Sequence, residues 1–510
     1  MNRYGQKGSI TIFLSLTCIL FLSLICAVVE SARVQGARAQ TANITGMGTF
    51  SLMGEFERAL LEKYEIFALD GTYGNGSFQI QKVNDRLYEF LSCNADPGED
   101  IPNGWCFDPW NLELYDSKVS GYALLTDQKG EPFYQQAVSY MKANIGVIAV
   151  DELLDLAGDA GDADKWQKQY EKNKQENDSQ ISGLEGEKQQ RAEQLESEAE
   201  AEALENGTTA VVPAEPENNP LKEIAKLCRK TTLEIVAGDK EISDKSVRVL
   251  RLPSRQFLKK GTMKLEKEHS GMVSDVLFRE YLIRYFPNFL SEEKGKGLEY
   301  QLEYILGGRS SDKANMKYVA GRLLLLREGM NYLYCLQDQQ IQSQAGSLAL
   351  TLTAWLGLPA VTEATKHALL LAWAYAESLI DVRILLDKGK VPLAKDASTW
   401  ALPLENLGRI TEILEEGAKD KGRGLSYQDY LRILLYLGSR DKQKMRGLDM
   451  MQSELQQSKA TESFKAENCI VGVQTETKWG CGQVFLGLPQ VVMGLSSTDV
   501  RIAQKGSVAY

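Results

Sequence analysis

The residues of this 510-residue chain with the most distinctive chemistry are eight cysteines and two histidines. Cys93 and Cys106 bracket the loop NADPGEDIPNGW, and Cys469 and Cys481 stand at nearly the same spacing. Outside a membrane, the first pair could close a loop worth about 3 kcal/mol in the chain-entropy model. The second pair could be bridged across a strand or hairpin. The alternative is reduced, buried thiols. No CxxC pair occurs, so a zinc ribbon or thioredoxin-like site has no support. Glu363 and His367 stand at i and i+4 and would share a helix face, but the motif is not HExxH. His269 lies in the charged run KLEKEHSG and reads as a surface residue. The acidic run Asp155 to Asp164 looks briefly like a calcium loop. It lacks an acid or amide at position three, and its twelfth residue is Trp166, so a solvated linker is expected instead. Glu377, Asp381 and Arg383 fall on an otherwise apolar stretch, where buried charges must be paired, so they form a candidate structural charge network, with either neighbouring charge or a third helix to pair Asp381. No phosphate loop, dinucleotide fingerprint or G-x-S-x-G elbow is present. No catalytic residue, metal or cofactor is expected.

The elements that must position these groups begin with Ile10 to Val29, ITIFLSLTCILFLSLICAVV, a stretch without a charge. Its length matches a bilayer core of roughly 30 Å crossed by a helix. Arg3 and Lys7 precede it and Glu30 follows it, so the positive-inside rule places residues 1–9 in the cytoplasm and the rest outside. A cleaved secretory signal is the rival, though its apolar core is normally about 7 to 15 residues. Ser15, Ser23 and Ala27 are small enough for close helix approach and, with Glu30, are the candidate anchor-packing residues. Residues 30–70 read as a juxtamembrane helix, with a bend or break expected at Gly46 and Gly48. The net charge of −11 argues against a nucleic-acid partner.

The run Lys7 to Thr11, then Glu30-Ser31-Ala32-Arg33, then Leu61 to Phe67 resembles the start of TadE/TadG-like proteins of Gram-positive Clostridia. These are pilin-like or pseudopilin-like proteins of tight-adherence pilus and secretion loci. The remainder is similar to a long extracytoplasmic domain attached to that start. Gly297 to Arg309 (GLEYQLEYILGGR), Trp373 to Ser378 and Lys390 to Leu393 carry that part of the resemblance. It implies other pilin-like subunits or secretion-platform membrane proteins as partners, beside the lipid bilayer. Prepilins carry a glutamate five residues after the processing site. If Gly8 were that site, the residue here is Phe13, which argues against processing.

The exterior portion reads as mainly α with a minor β component, an α+β fold. Residues 71–164 form an α+β segment with a short strand at 78–80, and 165–219 a charged helical or disordered insertion. Residues 220–463 form the main helical domain, and 464–510 a short β-rich tail packed on it. Ala345 to Thr362 is a second uncharged stretch, broken by Gly357 and Pro359. It reads as a buried helix pair, with a second membrane pass as the alternative. The function expected is a membrane-anchored, outward-facing structural component of a tight-adherence type pilus or secretion apparatus. An exterior module that binds a cell-wall or extracellular ligand is the alternative, and a cell-wall enzyme comes third.

Overall fold

The computed structural model describes residues 7–95, 110, 112–206, 209, 212, 216, 218–416, 422–485 and 499–510. It is mainly helical with one small antiparallel sheet, as expected. Two compact units share the chain: Met1–Gln136, Gln256–Glu268 and Leu455–Tyr510 make the first, and Ala137–Arg255 with His269–Glu454 the second.

The first unit holds α1 (Lys7–Met53), α2 (Arg58–Tyr64), β1 (Leu69–Asp70), α3 (Ile80–Ala95), β2 (Leu112–Leu124), the start of α4 (Asp127–Asn144), β3 (Cys469–Cys481) and β4 (Val500–Ala509). The central strand is β3. It pairs antiparallel with β2 on one edge and with β1 and β4 on the other. Its period of two puts Val473, Thr475, Thr477, Trp479 and Cys481 on one buried face. The second half of α1 and the apolar side of α3 cover that face, where Ile44, Leu52, Leu87, Leu91, Val473 and Trp479 share one core.

Several expectations change here. No strand forms at 78–80; Ile80 opens α3 instead. Gly46 and Gly48 do not interrupt α1, which is one helix of 47 residues. Gly48 serves packing: a Cβ there would lie 2.6 Å from Leu91 Cδ2, so the missing side chain lets α3 approach. Residues 464–510 fall in the first unit, where β3 pairs along its length with β2, from the amino-terminal part of the chain.

The second unit contains α5 (Val147–Asn206), α6 (Pro220–Leu227), α7 (Thr232–Val236), α8 (Met272–Tyr285), α9 (Gln301–Gly307), α10 (Asp312–Gln337), α11 (Gln339–Thr353), α12 (Pro359–Leu386), α13 (Ile410–Glu416), α14 (Tyr427–Leu437) and most of α15 (Arg440–Leu455). α10 packs on α12, and α5 lies against α10, α12 and α14. Ser311 caps α10 and Ser426 caps α14, each accepting from a backbone N–H of the first turn. Asp155 to Asp164 is helical, not a linker, and Ala160 and Ala163 are buried. The charged insertion is likewise packed at its start: Gln167, Tyr170 and Asn177 are buried. At Gly329 of α10 a Cβ would lie 2.9 Å from the Gln167 backbone, so glycine lets the two helices touch. Beyond Asn177 the helix is largely exposed to its end at Asn206, with no hairpin. The region 345–362 is the end of α11, a 3-10 turn closed by Gly357 at φ 66°, and the start of α12 with Pro359 in its first turn. Among the described residues, α1 is the one helix long and apolar enough to cross a membrane.

Candidate functional site

Two buried polar assemblies stand out, one in each unit. The first is the seam between α1 and the sheet. Glu30 follows the last apolar residue of the anchor stretch and is buried. Its carboxylate accepts from Arg33 Nη2 at 2.8 Å, from the Phe485 amide at 2.8 Å and from the Val484 amide at 3.3 Å. Burial opposes its ionisation, but Arg33 and the two amides outweigh that and hold its carboxyl below the ordinary range. Arg33 also donates to the carbonyls of Trp110, at 2.9 Å, and Gly482. Further along, Thr45 Oγ1 meets Thr477 Oγ1 at 2.9 Å, and Thr49 Oγ1 meets Thr475 Oγ1 at 2.8 Å. Trp479 Nε1 donates to Thr477 Oγ1 at 2.8 Å. Gly506 of β4 leaves room, since a Cβ would lie 2.6 Å from Thr49 Oγ1. Thr41, Thr45 and Thr49, at i, i+4 spacing, are the sequence signal for this seam.

In the anchor half of α1, Ser15 and Ser23 donate back to the carbonyls of Ile12 (2.9 Å) and Leu20 (2.8 Å). Both side chains are satisfied within the helix and exposed; Ala27 is half-buried.

The second assembly lies between α10, α12 and α14. Arg327 is fully buried. It donates to Asp381 Oδ2 at 3.0 Å, Asn331 Oδ1 at 2.9 Å, the carbonyls of Pro392 at 3.0 Å and Leu393 at 2.7 Å, and Tyr430 Oη at 3.0 Å. Lys395 bonds Asp381 at 2.6 Å and also Glu377. Glu377 accepts from the Ala401 and Leu402 amides, each at 2.8 Å. Two cations thus face two anions. Burial opposes ionisation of both carboxylates; Lys395 and Arg327 together hold Asp381 below its usual range, whereas Glu377, beside Lys395 alone, stays above it. Glu377 and Asp381 therefore belong to one network, and Arg383 does not. The Arg383 side chain projects from another side of α12, to Asp387 at 3.1 Å and the Val236 carbonyl at 3.1 Å.

The run Gly297 to Arg309 is a distribution point of the same unit. The Glu299 and Tyr300 amides donate to Asp312 at 2.9 and 3.1 Å. Gln301 donates to Glu454 and Tyr304 to Asp449, each at 2.8 Å. Glu303 accepts from Tyr427 at 2.7 Å and from the Phe289 amide at 2.9 Å, while its second oxygen meets no partner among the described residues. Gly308, at φ 63°, ends α9. Neighbouring amides and side chains of one motif thus tie this run to α10, α14 and α15.

Burial raises Glu303 to about 7 against the Phe289 amide and Tyr427, and raises Glu328 to about 7 against Lys174 and Tyr170. The unfolded carboxyls ionise near 4.5. Their stabilising contribution is therefore complete below pH 4.5, falls as pH rises toward 7, and is lost above it. Each group accounts for up to about 3 kcal/mol. We expect Glu328→Gln to reduce the drop in urea midpoint between pH 4.5 and pH 8, and to exceed the parent in stability at pH 8. An unchanged profile would assign the pH dependence elsewhere.

Cys469 and Cys481 do not form a bridge. They occupy opposite ends of β3, about 40 Å apart at 3.3 Å per residue, and both are buried free thiols. Cys93 is an exposed free thiol, while Cys106 lies outside the described residues. His367 is 3.4 Å from Glu363 on the half-exposed side of α12, and His269 contacts Ser139 at 2.7 Å and Lys142 at 3.0 Å. Among the described residues no group of three His, Cys, Asp or Glu is placed to hold a metal ion. A cleft of about 180 Å³ in the second unit is lined by Ile181, Leu184, Leu221, Trp355, Leu356 and Val361, with Lys188 and Glu185 at its polar side.

These helices, from α6 to α15, coincide with the matched part of a protein family: residues 211–481 match a family of unknown function (DUF5702), just over half of the chain. The chain belongs to the DUF5702 family. The match takes in the Arg327 network, the Gly297–Arg309 run and β3, and it starts after α5, so α1 lies outside it. No curated protein and no solved structure matches this DUF5702 chain.

Proposed function

We propose that the chain is a membrane-anchored, outward-facing, non-catalytic structural component of a tight-adherence type pilus or secretion apparatus. The observation that carries this reading is the continuity of α1. Its apolar window has no buried residue, and the same helix runs on without a break into the polar seam with the sheet. The first half offers an apolar cylinder to lipid or to like helices, and the second half holds a folded unit rigidly at its exit. The assignment to that apparatus rests on the resemblance of Lys7 to Thr11, Glu30 to Arg33 and Leu61 to Phe67 to TadE/TadG-like proteins. Arg3 and Lys7 support a cytoplasmic amino terminus. The second unit's carboxylates Glu377, Asp381 and Asp449 are committed to bonds within the core, which favours a structural role.

Two measurements test this. A membrane-impermeant thiol reagent applied to intact cells should label Cys93 and Cys228, which are exposed, and should reach buried Cys469 and Cys481 only after denaturation. Protection of Cys93 and Cys228 until the membrane is opened would reverse the orientation. Co-purification from detergent-solubilised membranes should recover secretion-platform membrane proteins. Their reproducible absence would favour the second reading, an exterior binding module, for which the cleft beside Trp355 is the supporting feature.

A further inference from the structure

The apolar stretch of α1 ends at Val29, and Glu30 opens the next turn. Because the Glu30 carboxylate accepts from the amides of Val484 and Phe485, those two residues lie level with the end of that stretch. One turn on, Arg33 holds the Trp110 carbonyl, and the Trp110 ring is packed so close to Gly36 that a Cβ there would collide with it. Trp110, Val484 and Phe485 thus form a collar on one side of α1. It spans roughly 10 Å of helix rise, at 1.5 Å per residue, from the last apolar residue. Val484 is 45% and Phe485 36% exposed, and Trp110 is half-buried.

An aliphatic and two aromatic side chains at that level match the chemistry of the boundary between headgroups and acyl chains, where aromatic rings concentrate. Backbone polar groups near hydrocarbon need partners within the protein. Glu30 and Arg33 provide them here, and both side chains are buried in doing so. We infer that the collar of Trp110, Val484 and Phe485 is seated in the lipid headgroup–acyl boundary, so the first unit rests on the membrane surface rather than standing off it on a stalk. This rests on the reading that α1 spans the bilayer.

The test uses the full chain in phosphatidylcholine–phosphatidylglycerol vesicles, with a fluorescent non-natural amino acid in place of Phe485, Val484, Leu20 or Lys505, one at a time. Vesicles carry bromine either shallow or deep on the acyl chains. At 485 and 484, shallow bromine should remove at least a third of the emission and deep bromine less. At 20 the order should reverse. At 505, whose side chain is exposed on β4 and pairs with Glu476, neither should quench. Quenching at 20 with none at 485 and 484 would overturn the collar and leave the anchor standing. No quenching at 20 would overturn the anchor itself, and the collar with it.

Discussion

Arg327→Met should lower the stability of the full chain by about 3–5 kcal/mol. The guanidinium is fully buried and serves five acceptors, four of them on three other segments: Asp381 of α12, Tyr430 of α14 and the carbonyls at 392 and 393. Methionine fills much of the volume but leaves two carboxylates with Lys395 as their one cation, and removes a donor from the Pro392 and Leu393 carbonyls, the first of which keeps Tyr430. Taking charges out of water is recovered only when each is paired, so removal of one member costs more than the pair contributes. The double variant Arg327→Met/Asp381→Leu leaves Lys395 with Glu377 as a matched pair. It should recover at least half of the loss. Urea unfolding in mild detergent, followed by tryptophan emission, reads both. A single-variant loss under about 1 kcal/mol would mean that water reaches the network.

Trp479→Ala should cost about 3–5 kcal/mol. This indole is fully buried at the centre of the α1–sheet core, and its Nε1 donates to the threonine that α1 bonds. Alanine removes the largest side chain of that face and a donor of the seam together. Hydrogen exchange should then rise by at least a hundredfold in the second half of α1 and in β2 to β4. Trp479→Phe, which keeps an aromatic ring but loses the N–H and part of the indole's volume, should cost about 1–2 kcal/mol. Equal effects of the two substitutions would place the weight on the hydrogen bond instead of packing.

What the sequence made legible was local. The uncharged stretch of Ile10 to Val29 and the break at Gly357 and Pro359 are each written within a few residues. The need to pair Asp381 was also readable, because a lone carboxylate on an apolar stretch is too costly to bury. Its partners were not. Arg327 lies 54 residues away, and Arg383, the near candidate, points elsewhere. The same limit hid β2, whose partly exposed, bulged course gives no clean alternation, and whose partner β3 lies beyond the whole helical unit. It also made the cysteines at 469 and 481 look bridgeable across a strand or hairpin when one extended strand holds them apart. The threonines of α1 were visible, but their meaning depends on a strand 432 residues later.

Those threonines act as the teeth of a rack. Four residues of helix rise about 6 Å, and two residues of strand about 6.6 Å, so the two rows are nearly commensurate. A slide of α1 by one turn would bring Thr41 to Thr477 and Thr45 to Thr475, the same hydroxyl pairs one tooth over. The ladder therefore fixes the angle of the helix about its axis but tolerates discrete steps along it. The pawl is elsewhere, in Glu30 with its two amides and in the Trp110 ring against Gly36. How many residues of α1 remain below the sheet is decided at that turn and at Gly48, where the same slide would drive Ile44 against Leu91.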